Sequence, residues 1–283
     1  MTMIIDCPPS TRSSTHSLQL GGLKAKQQAT WSSGDYSVVG TTLQIVGESL
    51  CEAADVRAGD DVLDVACGNG NATLAAARRF ARVTGVDYVP ELLRRAQERA
   101  SAERLDLDLL TADAEALPFQ DQSFDVVLST FGVMFTANHE QAAAELVRVC
   151  KAGGKIALAN WTPEGFIGEL FRTVARHVPP PQGAPSALGW GTKSGLNELF
   201  GDKATAIHVE RKLFNFRYLS PQHFIDVFRR FYGPTFKAFG VLDEAGQAAF
   251  ATDIESALRK FERGGGSSLV VPSEYLEVVI HRA

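Results

Sequence analysis

The chain has 283 residues, of which 45% are hydrophobic and 22% are charged, and its formal net charge is −5. This composition is ordinary for a soluble globular protein and allows one large α/β domain or one domain with a substantial insertion. The acidic balance argues against a nucleic-acid-binding protein, which needs a basic surface to neutralise phosphates. No apolar stretch is long enough to span a bilayer and no signal-peptide pattern opens the chain, so we expect a cytoplasmic protein.

The first segment, residues 1–24, is rich in Ser, Thr and Gly and is predicted to be a flexible tail. Trp31 and Tyr36 come next and flank a turn-prone stretch that precedes an amphipathic helix over 41–54. The two aromatic residues suit either a hydrophobic plug on the domain surface or a lid over a ligand.

Four cysteines are scattered along the chain without the paired spacing of a zinc site. They are Cys7, Cys51, Cys67 and Cys150. We interpret them as free thiols and predict no metal site.

The central stretch, 62–71, has the pattern of a buried strand that ends in a glycine-rich turn and opens a helix over 71–79. Gly68 and Gly70 allow a sharp turn and a close approach to a ligand. The first N–H groups of the helix would point at whatever lies over this turn.

Strands and helices alternate after this turn. Strands are predicted at 82–87, 105–110, 124–129 and 155–161, with helices at 90–102 and 139–150. Strands separated by single helices specify βαβ units with right-handed crossovers. The sequence therefore predicts an α/β protein, a Rossmann-like three-layer sandwich with a mostly parallel seven-stranded sheet.

The alternation ends after Trp161. Helices are predicted at 165–177, 221–232 and 244–263, with two further strands at 208–218 and 274–281. We divide the chain into a ligand-binding core over 25–163 and a C-terminal part over 164–283, in which edge strands carry a helical lid insertion.

In an open α/β sheet, ligands lie beyond the carboxyl ends of the strands. A dinucleotide site calls for a third glycine where this chain has Thr73, and an acid at Asp64 would oppose a diphosphate. An acid at that place suits a ligand with an ammonium group. These residues favour S-adenosylmethionine over NAD.

Four segments at successive strand ends also resemble a known family. Asp64–Gly70 is similar to motif I of class I S-adenosylmethionine-dependent methyltransferases, and 85–87, 113–119 and 124–129 resemble later motifs of the small-molecule branch. That branch includes the ubiquinone and menaquinone C-methyltransferases. The resemblance covers about 31–161.

The resemblance implies roles for the first two strand ends. The backbone at Ala66, Gly68 and Gly70 would pass beside the methionine part of the cofactor. Asp64 would hold the amino end of the cofactor, directly or through water. Asp87 would accept hydrogen bonds from both ribose hydroxyls.

It also implies roles for the next two strand ends. Asp113 would accept from the adenine amino group, the N–H of Ala114 would meet a ring nitrogen, and Tyr88 would stack on the adenine. Ser129 and Thr130 would lie under the sulfonium. Aromatic faces near a sulfonium add cation–π attraction, and the residues suited to this are Trp31, Tyr36, Phe131 and Phe135.

The sequence identifies no catalytic base. His139 and His177 are candidates, although the place of each at a helix end is the simpler explanation. The C-terminal part lacks clustered positive charge and is rich in aromatic residues, namely Trp161, Phe166, Phe171, Trp190 and Phe200. This favours a small, partly apolar or aromatic methyl acceptor.

The sequence therefore predicts an S-adenosylmethionine-dependent methyltransferase that releases S-adenosylhomocysteine. Two alternatives stay open: an NAD(P)-dependent oxidoreductase, and a non-catalytic module that binds S-adenosylmethionine or its product. The oligomeric state is not indicated.

Overall fold

Seven strands form the centre of the protein in the computed structural model, which describes residues 12–181, 183–264 and 268–283. The strands are β1 (Asp61–Val65), β2 (Arg82–Asp87), β3 (Asp108–Thr111), β4 (Phe124–Thr130), β5 (Cys150–Trp161), β6 (Ala204–Tyr218) and β7 (Leu269–Arg282).

Helices lie before the sheet, between its strands and in the C-terminal part. They are α1 (Arg12–Trp31), α2 (Tyr36–Gly40), α3 (Gln44–Ala53), α4 (Asn71–Ala77), α5 (Pro90–Glu103), α6 (His139–Val149), α7 (Phe166–His177), α8 (Lys193–Phe200), α9 (Pro221–Phe231), α10 (Gly233–Val241) and α11 (Glu244–Phe261). Short 3-10 turns occur at Thr41–Leu43, Val133–Phe135 and Ala187–Gly191. No described helix is both long and apolar enough to cross a membrane.

The strand order across the sheet is β3-β2-β1-β4-β5-β7-β6. β1 to β5 pair in parallel, whereas β7 runs antiparallel to both β5 and β6. The predicted fold class, a mostly parallel seven-stranded sheet in a Rossmann-like three-layer sandwich, is confirmed. The order reverses between β1 and β4, and ligands of open α/β sheets bind at such a switch point.

Alternate residues of the central strands pack into two separate apolar cores. On β1, Val62 packs with residues of α3 and α4, whereas Leu63 and Val65 belong to the larger core that includes α6 and α7. Both sets are fully buried because the sheet is covered on both faces. This alternation decides which face of the sheet each strand-end side chain points to.

Helix α1 corrects the prediction for the N-terminus. Residues 1–24 were expected to form a tail, but the chain is helical from Arg12. This helix has no strong apolar face of its own, so the sequence pattern alone does not reveal it. Residues 1–11, including Cys7, lie outside the described residues; the other three cysteines are buried and free.

The C-terminal part adds to the same sheet. Between β5 and β6 the chain forms α7 and α8, and between β6 and β7 it forms α9, α10 and α11. Aromatic rings hold these helices together; Phe224 stacks on Phe228 at 3.9 Å between ring centroids and meets Phe166 edge-to-face. The domain boundary near 163 stays a prediction. The larger core includes residues on both sides of it, from Val39 to Ile280.

Candidate functional site at the strand ends

A cavity that is partly open to solvent lies at the carboxyl ends of the parallel strands. The loops after β1, β2, β3 and β4 form its floor and walls, and residues of α1 and α2 cover it. Nearly all predicted ligand-binding segments therefore meet in one place.

The loop between β1 and α4 is held rigidly from both sides. The side-chain amide of Asn71 donates to the carbonyl of Gly40 at 2.7 Å, and that of Asn69 donates to Thr41 Oγ1 at 3.0 Å. Gly70 has φ +83° and lies against Ala96, where a methyl group would come within 3.0 Å of the Ala96 Cβ. Gly70 is needed for loop packing and does not itself line the cavity.

Asp87, at the end of β2, faces the cavity and organises the loop beside it. Its Oδ2 accepts from the N–H of Gly68 at 2.9 Å, and its Oδ1 accepts from the N–H of Val89 at 2.9 Å. Burial raises the pKa of this carboxyl to about 6, although the hydrogen bonds from Val89 and Gly68 oppose the shift. Ala66 and Gly68 lie on the adjoining wall, as predicted.

Asp64, at the end of β1, does not itself line the cavity, and its predicted contact with the amino end of the cofactor, directly or through water, stays a prediction. It shares the strand face of Val62 and therefore points at α4, where its Oδ2 accepts from Thr73 Oγ1 at 2.6 Å. It is completely buried, and its Oδ1 has no hydrogen-bond partner among the described residues. Burial raises its pKa to about 7 despite the hydrogen bond from Thr73. The hydrogen bond from Thr73 ties the end of β1 to α4.

The loop after β3 presents Asp113, Ala114 and Glu115 to the cavity, with Tyr88 close by on the loop after β2. Oδ1 of Asp113 accepts from the N–H of Glu115 at 2.9 Å. Oδ2 of Asp113 accepts from Lys24 Nζ of α1 at 2.5 Å. The carboxylate is thus held at the cavity in a fixed orientation.

Ser129 is also turned away from the cavity, in contrast to the prediction. Its hydroxyl donates to the carbonyl of Val65 at 2.7 Å and accepts from the N–H of Val133 at 3.2 Å. It therefore ties β4 to β1 and to the following turn. Thr130, one residue on, does line the cavity.

Aromatic rings form the cover. Trp31 meets Phe135 at 4.8 Å and Tyr36 at 5.5 Å between ring centroids, in edge-to-face geometry, and all three line the cavity. Tyr232, between α9 and α10, lies 5.6 Å from Trp31 on the far side. The lid interpretation of Trp31 and Tyr36 is supported by this position over the strand ends.

Backbone contacts join this cover to the C-terminal helices. Gly34 has φ +73°, and a methyl group there would lie 2.7 Å from the carbonyl oxygen of Phe231. The Cα of Gly233 in turn lies so close to the carbonyl of Thr30 that no side chain fits between them. The segment from α1 to α2 therefore packs directly on the junction of α9 and α10.

Comparison with known proteins assigns the family. Residues 63–158, which span β1 to β5, match a family model described as a methyltransferase domain. An uncharacterised protein of Mycobacterium tuberculosis is 43% identical over 228 residues, which are 80% of this chain and 83% of that protein. A demethylmenaquinone methyltransferase of Thermobifida fusca is 36% identical over 150 residues, 53% of this chain and 57% of that enzyme.

A solved structure shows the same fold. The YcgJ protein of Bacillus subtilis superposes with a TM-score of 0.59 at 20% identity, over 84% of this chain and 99% of that chain. The matched domain coincides with the strand ends that carry the four motifs. The chain belongs to the class I S-adenosylmethionine-dependent methyltransferases.

The electrostatics of the methyltransferase cavity fit the methyl donor of this family. Asp87, Asp113 and Glu115 line the cavity, and Lys24 is the one basic side chain among the described lining residues. Such a lining favours a ligand with positive charge and opposes a diphosphate. The residues at the strand ends thus argue for S-adenosylmethionine and against NAD.

Neither candidate histidine of the methyltransferase lies in the cavity, so both predictions need correction. His139 begins α6 and packs edge-to-face on Trp190 at 5.7 Å, and burial lowers its pKa. His177 ends α7, where its Nε2 lies 2.9 Å from Asp253 of α11. Both side chains support the helices around them. Among the described residues, no group of three or more His, Cys, Asp or Glu side chains is arranged to hold a metal ion.

Sequence reasoning missed Lys24, Glu115 and the residues of the turn at Thr136 and Ala137, all of which line the cavity. Glu115 stood inside a quoted motif, so its acidic side chain next to Asp113 was an available signal. Lys24 stood at the edge of the supposed tail. Its position depends on contacts with residues about ninety positions away, which no local pattern reveals.

Proposed function

We propose that this methyltransferase transfers the methyl group of S-adenosylmethionine to a small, partly apolar or aromatic molecule. The observation that carries the proposal is one cavity whose lining combines polar strand ends with the aromatic rings of the cover. The polar groups suit the cofactor, and the rings suit an apolar acceptor. The small size of the acceptor and its apolar character are the parts that need testing.

The polar side of the cavity offers a partner for each part of the cofactor. Asp87 would accept from the ribose hydroxyls, because its carboxylate lies on the wall and keeps free acceptor capacity beside its two backbone partners. Asp113 and the N–H of Ala114 would bind the adenine edge, with Tyr88 against its face. Ala66 and Gly68 would border the methionine part.

The aromatic side would bind the acceptor. Trp31, Tyr36 and Phe135 present ring faces and edges to the cavity and bring no formal charge. Flat apolar molecules gain from contact with such rings. The three carboxylates in the same cavity disfavour an anionic acceptor. A neutral aromatic or partly apolar molecule therefore fits the lining best.

The cofactor supplies an activated methyl group on a sulfonium, which a nucleophile displaces in line. The protein's part is to align the acceptor with that methyl and to keep water out. Thr130 and Phe131 are among the residues that line the cavity. No histidine reaches the cavity from the described residues, so the side chains present there favour an acceptor that needs no imidazole base.

Two measurements test the proposal. Calorimetry with S-adenosylmethionine, S-adenosylhomocysteine and NAD⁺ should show binding of the two adenosyl compounds and none of NAD⁺. Release of S-adenosylhomocysteine should then be followed over a panel of phenols, quinols, amines and carboxylic acids. We expect turnover with neutral aromatic members and none with their carboxylate analogues.

The outcomes separate the possible functions. Tight NAD⁺ binding without adenosyl binding would overturn the proposal in favour of an oxidoreductase. Adenosyl binding without turnover of any acceptor would indicate a module that senses the cofactor or its product. Turnover restricted to anionic acceptors would contradict the inference that the carboxylates of the cavity disfavour an anionic acceptor.

A further inference from the structure

Lys24 reaches from α1 across the cavity to two carboxylates. Its Nζ lies 2.5 Å from Asp113 Oδ2 and 2.8 Å from Glu115 Oε2. Burial opposes the charge of this ammonium, but the hydrogen bonds to Asp113 and Glu115 outweigh it and raise its pKa. Lys24 is therefore a charged, part-buried contact between the cover and the floor of the cavity.

The two carboxylates differ in how firmly they are held. Glu115 has only 5% of its side chain exposed, and its Oε1 accepts from the N–H groups of Ala137 at 2.7 Å and Asn138 at 2.9 Å. Its Oε2 is thereby fixed towards Lys24. Asp113 has 37% of its side chain exposed and lies on the wall where the adenine edge is proposed to bind.

The rest of the cover depends on where α1 sits. One turn beyond Lys24, Gln28 donates through Nε2 to the carbonyl of Tyr88 at 2.6 Å. Trp31 ends the helix and contributes its ring to the cavity lining. A residue that holds α1 down therefore also positions Trp31 against the acceptor side.

We propose that Lys24 is a positioning residue that exchanges partners when the cofactor binds. Without cofactor, the ammonium bridges Asp113 and Glu115. When the adenine amino group occupies Asp113, Glu115 alone keeps Lys24 and holds α1 closed over the ligand. This inference rests on the proposed function, because it takes S-adenosylmethionine or S-adenosylhomocysteine as the ligand at Asp113.

The holding role is tested with Lys24→Met, and Lys26→Met serves as the matched control because Lys26 is exposed on the same helix. Amide hydrogen exchange of residues 20–31 and the dissociation rate of S-adenosylhomocysteine are measured in each variant. We expect Lys24→Met to lose protection in α1 and to release the product roughly three- to tenfold faster. Lys24→Arg should restore most of both, because it keeps the charge.

The exchange of partners is tested with Glu115→Gln, whose remaining carbonyl oxygen still accepts from Ala137 and Asn138. Without ligand, Asp113 should hold Lys24 and α1 should stay protected. With saturating S-adenosylhomocysteine, Asp113 is occupied and α1 should lose protection, in contrast to the wild type. In Asp113→Asn, Glu115 should keep α1 protected with and without ligand.

Two results would overturn the inference. One is product release and α1 protection in Lys24→Met equal to those of the wild type. The other is Glu115→Gln in which ligand binding protects α1 as fully as in the wild type. Failure of the proposed function is recognised separately, because the wild-type protein would then not bind S-adenosylhomocysteine. The comparison of α1 protection in Lys24→Met and the wild type without ligand would still decide whether Lys24 holds α1.

Discussion

The two halves of the sheet are built from different interactions. At the ends of β1 to β4, carboxylates and hydroxyls accept from and donate to backbone groups of neighbouring loops, as Asp87 does with Gly68 and Ser129 with Val65. Around β6 and β7, stacked aromatic rings such as Phe224 and Phe228 supply the cohesion. The first half fixes polar groups at a ligand, and the second half fixes the helices that lie beside the cover.

This contrast indicates which residues affect ligand binding and which affect the stability of the fold. A polar strand-end group that lines the cavity, such as Asp87, affects what binds, whereas a buried ring beyond Trp161 affects the packing of the helices. Mutations of polar groups that line the cavity and of groups buried away from it should therefore change different observables.

Phe224→Ala should lower the free energy of unfolding by about 3–5 kcal/mol, because it opens a cavity in a fully buried aromatic cluster. Denaturant unfolding measures this loss. Below the transition, the affinity for S-adenosylhomocysteine should match that of the wild type. Leu219→Ala, with a side chain that is 75% exposed, is the control and should change neither quantity. Loss of cofactor affinity in folded Phe224→Ala would contradict the expectation that this aromatic cluster affects stability and not cofactor binding.

Asp87→Ala should weaken binding of S-adenosylhomocysteine by about 2–3 kcal/mol, because charged hydrogen bonds to the ribose and to the N–H of Gly68 are lost. Calorimetry measures the change in the dissociation constant. Asp106→Ala, an exposed aspartate just before β3, should leave the affinity unaltered. If Asp87→Ala bound S-adenosylhomocysteine with wild-type affinity, the Asp87 carboxylate would not be a cofactor contact.

Asp64→Asn tests the buried carboxyl that does not itself line the cavity. The native group keeps its proton up to about pH 7, whereas the unfolded group loses it near its ordinary pKa of 3.8, so the native state binds more protons between these values. The wild type should therefore lose stability relative to Asp64→Asn as the pH rises from about 4 to 7, by about 1.4 kcal/mol for each unit of pKa difference. Urea unfolding at pH 5 and pH 8 measures this trend.

The trend has a clear contrary result. If the difference in unfolding free energy between Asp64→Asn and the wild type were the same at pH 5 and pH 8, the carboxyl would be ionised in the native state throughout. Asp106→Asn should show no comparable trend, since that side chain is exposed in the folded protein.

His177→Gln should have the smallest effect on catalysis. The imidazole lies between α7 and α11 beside Asp253 and Phe250, away from the cavity, so methyl transfer should proceed at the wild-type rate. Turnover with an acceptor found in the panel measures this. A large fall in kcat at unchanged stability would assign His177 a part in the reaction that its position in this structure does not explain.

Much of the first half could be predicted from the sequence, because its chemistry lies in short motifs at strand ends. The positions of Asp87, Asp113 and Thr130 follow from strands that end at one edge of a parallel sheet. The sequence could not decide that Asp64 and Ser129 turn inwards. Thr130, which lines the cavity, directly follows Ser129, and Ala66 comes two positions after Asp64. Only the folded sheet shows which of these side chains reach the cavity.

The N-terminal cover was beyond local reasoning for a different reason. Helix α1 has little apolar periodicity, and its contacts with the site come from Lys24, Gln28 and Trp31, whose partners lie far along the chain. The same holds for α8 and α10, which complete the C-terminal packing. Their positions are decided by tertiary contacts that become visible only when all strands are in place.

The close backbone contacts of Gly34 with Phe231 and of Gly233 with Thr30 have a kinetic consequence. A movement of α1 that preserves them carries α9 and α10 along as one body. Amide hydrogen exchange of residues 30–34 and of residues 231–233 would consequently rise and fall together in any variant that loosens α1.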